Sequence, residues 1–209
     1  PTNPVTVGNW DPNNTNVIDL AQSVAVYGAY AYVTGSDSDN FAIVDISNPT
    51  APVTVGNWDP NNTTIMNSAF SITVSGNYAY TITNYSALGD TLEIINISDP
   101  AHPTHAGYLT NGTGGANINR AYSVVVSGNY AYIASSGGNA LEVVDISNPA
   151  NPIHAGIITH GTGGANLNYP YAVAVSGNYA YITNYTGDSL EVVDISDPIN
   201  PVHAGLLTN

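Results

Sequence analysis

The chain has 209 residues, 43% of them hydrophobic, which is enough to fold around a sizeable core. Fifteen Asp and Glu against a single basic residue, Arg120, leave a net charge of −14. That balance excludes nucleic acid and anionic membrane surfaces as partners, since both need clusters of Lys and Arg. Cysteine is absent, so disulfides, thiolate metal sites and thiol nucleophiles are excluded too, and no apolar run reaches transmembrane length.

Residues 3–10, Asn-Pro-Val-Thr-Val-Gly-Asn-Trp, repeat almost unchanged at 51–58, and they read as a single outer β-strand. Four similar units follow, at about 22–58, 69–109, 121–158 and 170–207, and each has one of Pro49, Pro100, Pro149 and Pro198 in the turn after its third strand. A period near fifty residues means a repeat architecture. In the third unit Tyr122–Val126 is a β-branched run that stops at Ser127-Gly128-Asn129, a tight-turn signal. Tyr130–Ala134 is the second strand and Leu141–Ile146, rich in Val and Ile, the third. The segment 147–152 holds two prolines and is a turn, because proline removes ladder donors. Ile153–Ile158 is the fourth strand. Four sequential antiparallel strands per unit, with no helical period anywhere, describe a β-propeller blade. The expected fold is therefore all-β, with four blades and one extra terminal outer strand.

The run Leu141-Glu142-Val143-Val144-Asp145-Ile146-Ser147-Asn148-Pro149, with Asn-Tyr-Ala-Tyr ahead of it and Pro-Ile-His-Ala-Gly behind, resembles the LVIVD repeat of bacterial and archaeal surface proteins. The resemblance covers every unit. It implies a β-propeller and an extracellular setting, and it carries no catalytic residues with it.

With the strands of a blade labelled A to D from the axis outward, the A–B and C–D turns are nearly constant between units, whereas the B–C and D–A loops vary. In a propeller the two sets lie on opposite faces, so one face is scaffold and the other is decorated. Asn-x-Ser/Thr sequons put Asn13, Asn61, Asn62, Asn84, Asn111 and Asn184 in the variable loops as glycosylation candidates, with Asn96 on a strand. Trp10 and Trp58, each followed by an acidic residue, Asp11 and Asp59, are the carbohydrate-binding candidates of those loops. Asp37, Asp39 and Asn40 offer several oxygens in one loop, a weak Ca²⁺ pattern that lacks the usual Gly and bidentate Glu; no other cofactor is implied. His105, His154 and His203 recur in His-Ala-Gly, but outer strands of different blades are too far apart for them to share one ion. The Tyr pairs 30/32, 78/80, 130/132 and 179/181 put two rings on one face of each second strand, as packing between blades requires. Asp45, Asp145 and Asp194 share a repeat position with Asn96, which points to turn hydrogen bonding rather than catalysis.

The strand count is uneven, because residues 3–10 and 200–206 are both outer strands and offer themselves for one place. The chain is then a piece of a longer propeller, a four-bladed ring with a spare strand, or an open array that completes itself on another copy. The third outcome is the leading expectation: a non-enzymatic extracellular structural or adhesive protein that assembles head-to-tail with itself through Val5, Val7, Val202 and Leu206. The competing expectation is a soluble carbohydrate- or protein-binding propeller that works through its D–A and B–C loops.

Overall fold

A computed structural model describes residues 6–9, 18–35, 41–58, 68–84 and 89–208. Among the described residues sixteen strands form four antiparallel four-stranded sheets, each built from strands consecutive in the chain. Blade 1 comprises β1 (Ala21–Tyr27), β2 (Tyr30–Gly35), β3 (Phe41–Asp45) and β4 (Val53–Trp58); blade 2 comprises β5 (Ala69–Ser75), β6 (Tyr78–Thr83), β7 (Thr91–Asn96) and β8 (Thr104–Thr110). Blade 3 comprises β9 (Ala121–Ser127), β10 (Tyr130–Ser135), β11 (Ala140–Asp145) and β12 (Ile153–Thr159); blade 4 comprises β13 (Pro170–Ser176), β14 (Tyr179–Asn184), β15 (Ser189–Asp194) and β16 (Val202–Thr208).

The turns follow from their residues. Gly28, Gly76, Gly128 and Gly177 close the A–B hairpins at φ of +60°, +57°, +59° and +57°, a region that glycine enters without steric cost. At the ends of the C strands Asp45, Asn96, Asp145 and Asp194 each accept the backbone N–H two residues on, at 2.8 to 2.9 Å. One Asn can replace three Asp there because the side-chain oxygen alone is used.

Strands β1, β5, β9 and β13 pack on one another in that order, so they are the inner strands and the blades stack side by side. β1 and β13 share no such packing among the described residues, so the array is open rather than a closed ring. A core lies at each joint. Between blades 1 and 2 it holds Tyr32, Phe41, Ile43 and Trp58 against Ala69, Ile72, Ala79 and Ile95. Between blades 3 and 4 it holds Tyr132, Leu141, Val143 and Ile158 against Leu167, Val173, Ile182 and Val193. Inner strands are also stitched by hydrogen bonds across each joint. Ser23 Oγ accepts Ile72 N–H at 3.3 Å, Ser71 Oγ accepts Val124 N–H at 3.2 Å, and Ser123 Oγ accepts Val173 N–H at 3.2 Å.

The extra outer strand differs from expectation. Residues 6–9, the described part of that segment, belong to no sheet. They nevertheless occupy a definite seat, set out below.

Candidate functional site

Each outer strand carries a glycine at the same register, and its function is close approach between blades. A Cβ added at Gly56 would lie 2.1 Å from the Pro100 carbonyl oxygen, one at Gly107 2.4 Å from that of Pro149, and one at Gly156 2.5 Å from that of Pro198. The outer strand of one blade thus presses its glycine onto the C–D turn of the next. Gly8 repeats the contact, since its Cβ would fall 2.2 Å from the Pro49 oxygen. Residues 6–9 therefore sit where the outer strand of a blade preceding blade 1 belongs. Gly205 of β16 meets nothing within 4 Å.

The open ends expose what the joints bury. Leu207 is 68% exposed, whereas its equivalents Trp58, Leu109 and Ile158 are 8%, 3% and 1% exposed. On blade 1 Val24 is 61% exposed, against 6% for Ile72, 5% for Val124 and 9% for Val173. Val26 is exposed as well, whereas Leu206 is exposed at a position that is also exposed in Tyr108 of blade 2. Tyr179, Tyr181, Val192, Ala204 and Gly205 line an open hollow of about 410 Å³ on the free side of blade 4. Of the four residues expected to assemble, Val7, Val202 and Leu206 are exposed at these two ends, and Val5 is outside the described residues.

Inside each of blades 2, 3 and 4 a glutamate on strand C is fully buried and meets the histidine of His-Ala-Gly on strand D. Glu93 Oε1 is 2.5 Å from His105 Nδ1, Glu142 Oε1 2.6 Å from His154 Nδ1, and Glu191 Oε1 2.5 Å from His203 Nδ1. The three imidazoles are therefore tied up one per blade, and among the described residues no cluster of three or more His, Asp or Glu side chains could hold a metal ion. Glu142 Oε2 also accepts Asn117 N–H at 3.2 Å and Glu191 Oε2 accepts Asn166 N–H at 3.0 Å. Glu93 Oε2 has no partner among the described residues. Desolvation accordingly pushes the Glu93 carboxyl up to about 9, and burial lowers His105. Both directions favour a neutral pair in blade 2, in which the carboxylic acid donates to the imidazole Nδ1. Burial also raises Glu142, against hydrogen bonds from His154 and Asn117 that pull it down.

Other sequence candidates fall differently. Trp58 is the last residue of β4 rather than a loop residue. Opposite Phe41 in register, it is buried in the joint and stacked on His105 at 6.5 Å, so its face is not available to a sugar. Asn84 is buried and its side-chain amide donates to the Ala121 carbonyl at 2.8 Å; Asn184 is buried with its amide on Ser189 Oγ at 3.2 Å. Attachment of a glycan at either would require breaking that bond and opening the blade. Asn111 is exposed, with Oδ1 accepting Ile118 N–H at 2.9 Å. Trp10, Asp11, Asp59, Asn13, Asn61, Asn62, Asp37, Asp39 and Asn40 are outside the described residues.

Side-by-side four-stranded antiparallel blades about shared inner strands define a β-propeller-type repeat protein. The LVIVD repeat is matched at residues 20–60, 67–110, 119–160 and 170–208, and the chain belongs to that family. No curated protein matches it in sequence. Among solved structures it is similar to a periplasmic gluconolactonase of Pseudomonas aeruginosa, at 12% identity and a TM-score of 0.70, over 90% of this chain and 57% of that one. A 6-phosphogluconolactonase, so assigned provisionally, of Bacteroides uniformis gives 10% identity and 0.70, over 89% of this chain and 56% of that one. A functionally unknown protein of Desulfotomaculum acetoxidans gives 13% and 0.53, over 90% and 70%. The chain spans little more than half the length of the two lactonase-type structures. At these identities the likeness is one of fold alone.

Proposed function

We propose that the protein is a non-enzymatic, extracellular structural or adhesive component that assembles head-to-tail with copies of itself. The observation that carries this reading is the pair of unlike open ends. Blade 4 presents the residue set that blade 3 buries against blade 4, and blade 1 presents the set that receives it. Burying an exposed Val or Leu stabilises by about 1.5–3 kcal/mol, so the two faces together favour a joint. Joining them brings two outer segments to one seat beside Pro49 and Thr50, namely residues 6–9 of one copy and β16 of the next. One of them completes the shared blade and the other is displaced, which is strand complementation between terminal outer strands. Such a contact is heterologous and grows into a closed ring or a fibre. The extracellular setting is supported by the near-absence of basic residues and by the family resemblance of the repeat.

Light scattering and electron microscopy over a range of concentrations test the reading. Rings or filaments that lengthen or accumulate with concentration are expected, and discrete four-bladed particles at every concentration would overturn it.

A further inference from the structure

We infer that the joint between blades 3 and 4 carries a binding site for a neutral saccharide, on the face formed by the B–C and D–A loops. A pocket of about 380 Å³ opens there, lined chiefly by Arg120, Tyr122, Ser136, Tyr169, Tyr171 and Tyr185. This volume falls within the range of about 300–1,000 Å³ typical of small-ligand sites. Three of the lining rings form a row that continues to Phe70 of blade 2. Phe70 meets Tyr122 edge-on at 5.3 Å, Tyr122 stacks on Tyr171 at 5.1 Å, and Tyr171 meets Tyr185 at 6.3 Å.

The repeat itself shows that these rings are not needed by the fold. At the position of Tyr122 and Tyr171 blade 2 has Phe70 but blade 1 has Gln22; at that of Arg120 and Tyr169 blade 2 has Ser68; at that of Tyr185 blade 3 has Ser136. The same backbone forms in every case, and Ser68, Arg120 and Tyr169 share a left-handed φ of 54°, 46° and 53°. Large aromatics would ordinarily be buried as core. Here Tyr171 is 53% and Tyr185 74% exposed. Exposed aromatic faces beside hydroxyls are suited to the flat apolar face and polar rim of a pyranose ring.

The walls are held before any ligand arrives. Arg120 N–H donates to Asp90 Oδ2 at 2.6 Å and Tyr169 N–H to Asn139 Oδ1 at 3.0 Å, each tying a D–A loop to the B–C loop of the preceding blade. Tyr185 N–H donates to the Tyr169 carbonyl at 2.9 Å. Such preorganisation lowers the entropy cost of binding. The guanidinium and the Ser and Tyr hydroxyls give donors and acceptors for sugar hydroxyls. A neutral sugar is favoured over an acidic one because the chain carries −14 and the Asp90 carboxylate is bonded to the backbone of the lining residue Arg120.

The site does not depend on assembly, so the test uses dilute protein below the concentration at which light scattering rises. The protein is applied to an array of neutral and sialylated or uronate-bearing oligosaccharides, and the strongest ligand is then titrated calorimetrically. Binding to neutral members is expected. The double variant Tyr171→Gln, Tyr185→Ser should weaken it at least tenfold. Both replacements are residues that the repeat already accepts at those positions, so circular dichroism should show an unchanged fold. Arg120→Ser serves as a second, independent variant and should weaken binding without altering the sheet signal. Absence of neutral glycan binding, preference for acidic glycans, or equal affinity in the wild type and the double variant would each overturn the proposal.

Discussion

Buried carboxylates are the residues whose chemistry most departs from that of a plain β-scaffold. Glu93 has a folded value of about 9 against an ordinary 4.5, so the folded state holds a proton that the unfolded state releases. The stability this contributes is fully present below about pH 4.5 and is lost as pH rises through about 9. His105 works in the opposite sense. Its lowered value means that its contribution is present above its ordinary 6.5 and fades as pH falls, though the imidazole is partly exposed and solvent screens the effect. Glu93 dominates, because it is fully buried and one of its oxygens is without a partner among the described residues. Glu93→Gln keeps a polar partner for His105 while removing the ionisable group. We expect the wild type to lose melting temperature between pH 5 and pH 9, and the variant to lose less, with a gain of about 1–3 kcal/mol at pH 8. Parallel pH profiles for the two proteins would show that Glu93 does not titrate in this range.

The joint between blades, rather than the blade itself, is the element that decides stability. Gly156→Ala places a methyl group 2.5 Å from the Pro198 and Ile199 oxygens, both backbone, so the joint between blades 3 and 4 must open. Destabilisation of about 1–3 kcal/mol by denaturant titration is expected, as for overpacking of a core. Ser123→Ala removes the acceptor of Val173 N–H and should cost about 1 kcal/mol. Four-stranded units were legible from sequence because turn residues bracket every strand: Ser-Gly-Asn before Tyr130, Asn-Pro after Ile146. The joints were not, since alternation shows that Tyr130 and Tyr132 share a face but not which blade that face meets. Trp58 was misplaced for this reason. It opens the run Trp-Asp-Pro and so reads as a loop residue, while the pairing with Phe41 makes it the end of a strand facing blade 2. The Glu partners of the histidines were missed, although a signal existed. Each Glu precedes its His by twelve residues, and in blade 1 both change together, to Ala42 and Thr54. The aromatic pocket was not legible because a repeat is recognised by what its units share, whereas Tyr169 and Tyr185 stand where other blades have Ser68 and Ser136.

At the scale of the whole molecule, the proposed assembly turns on one seat beside Pro49 that two glycines can fill. Gly8 fills it within the chain; Gly205 holds the equivalent register in β16, and a Cβ added there meets nothing within 4 Å. Blade 4 also has Ala172 where blades 1 to 3 have Ser23, Ser71 and Ser123, so the stitch between inner strands is missing at this end and a joint there is weaker than those inside the chain. Weakness of that kind makes the contact concentration-dependent rather than permanent. Gly205→Ala adds a methyl group in open space and should leave the melting temperature of the dilute protein unchanged, in contrast to Gly156→Ala. If β16 of an incoming copy takes the seat, the added methyl then strikes the Pro49 oxygen of the neighbour, and assembly measured by light scattering should fail. If residues 6–9 keep the seat and complete the blade of the neighbour, Gly205→Ala assembles normally and deletion of residues 1–9 abolishes assembly instead. Ala172→Ser supplies the missing stitch and should strengthen the joint about fivefold, a gain of about 1 kcal/mol. Assembly indifferent to all three changes would mean that the two open ends do not meet.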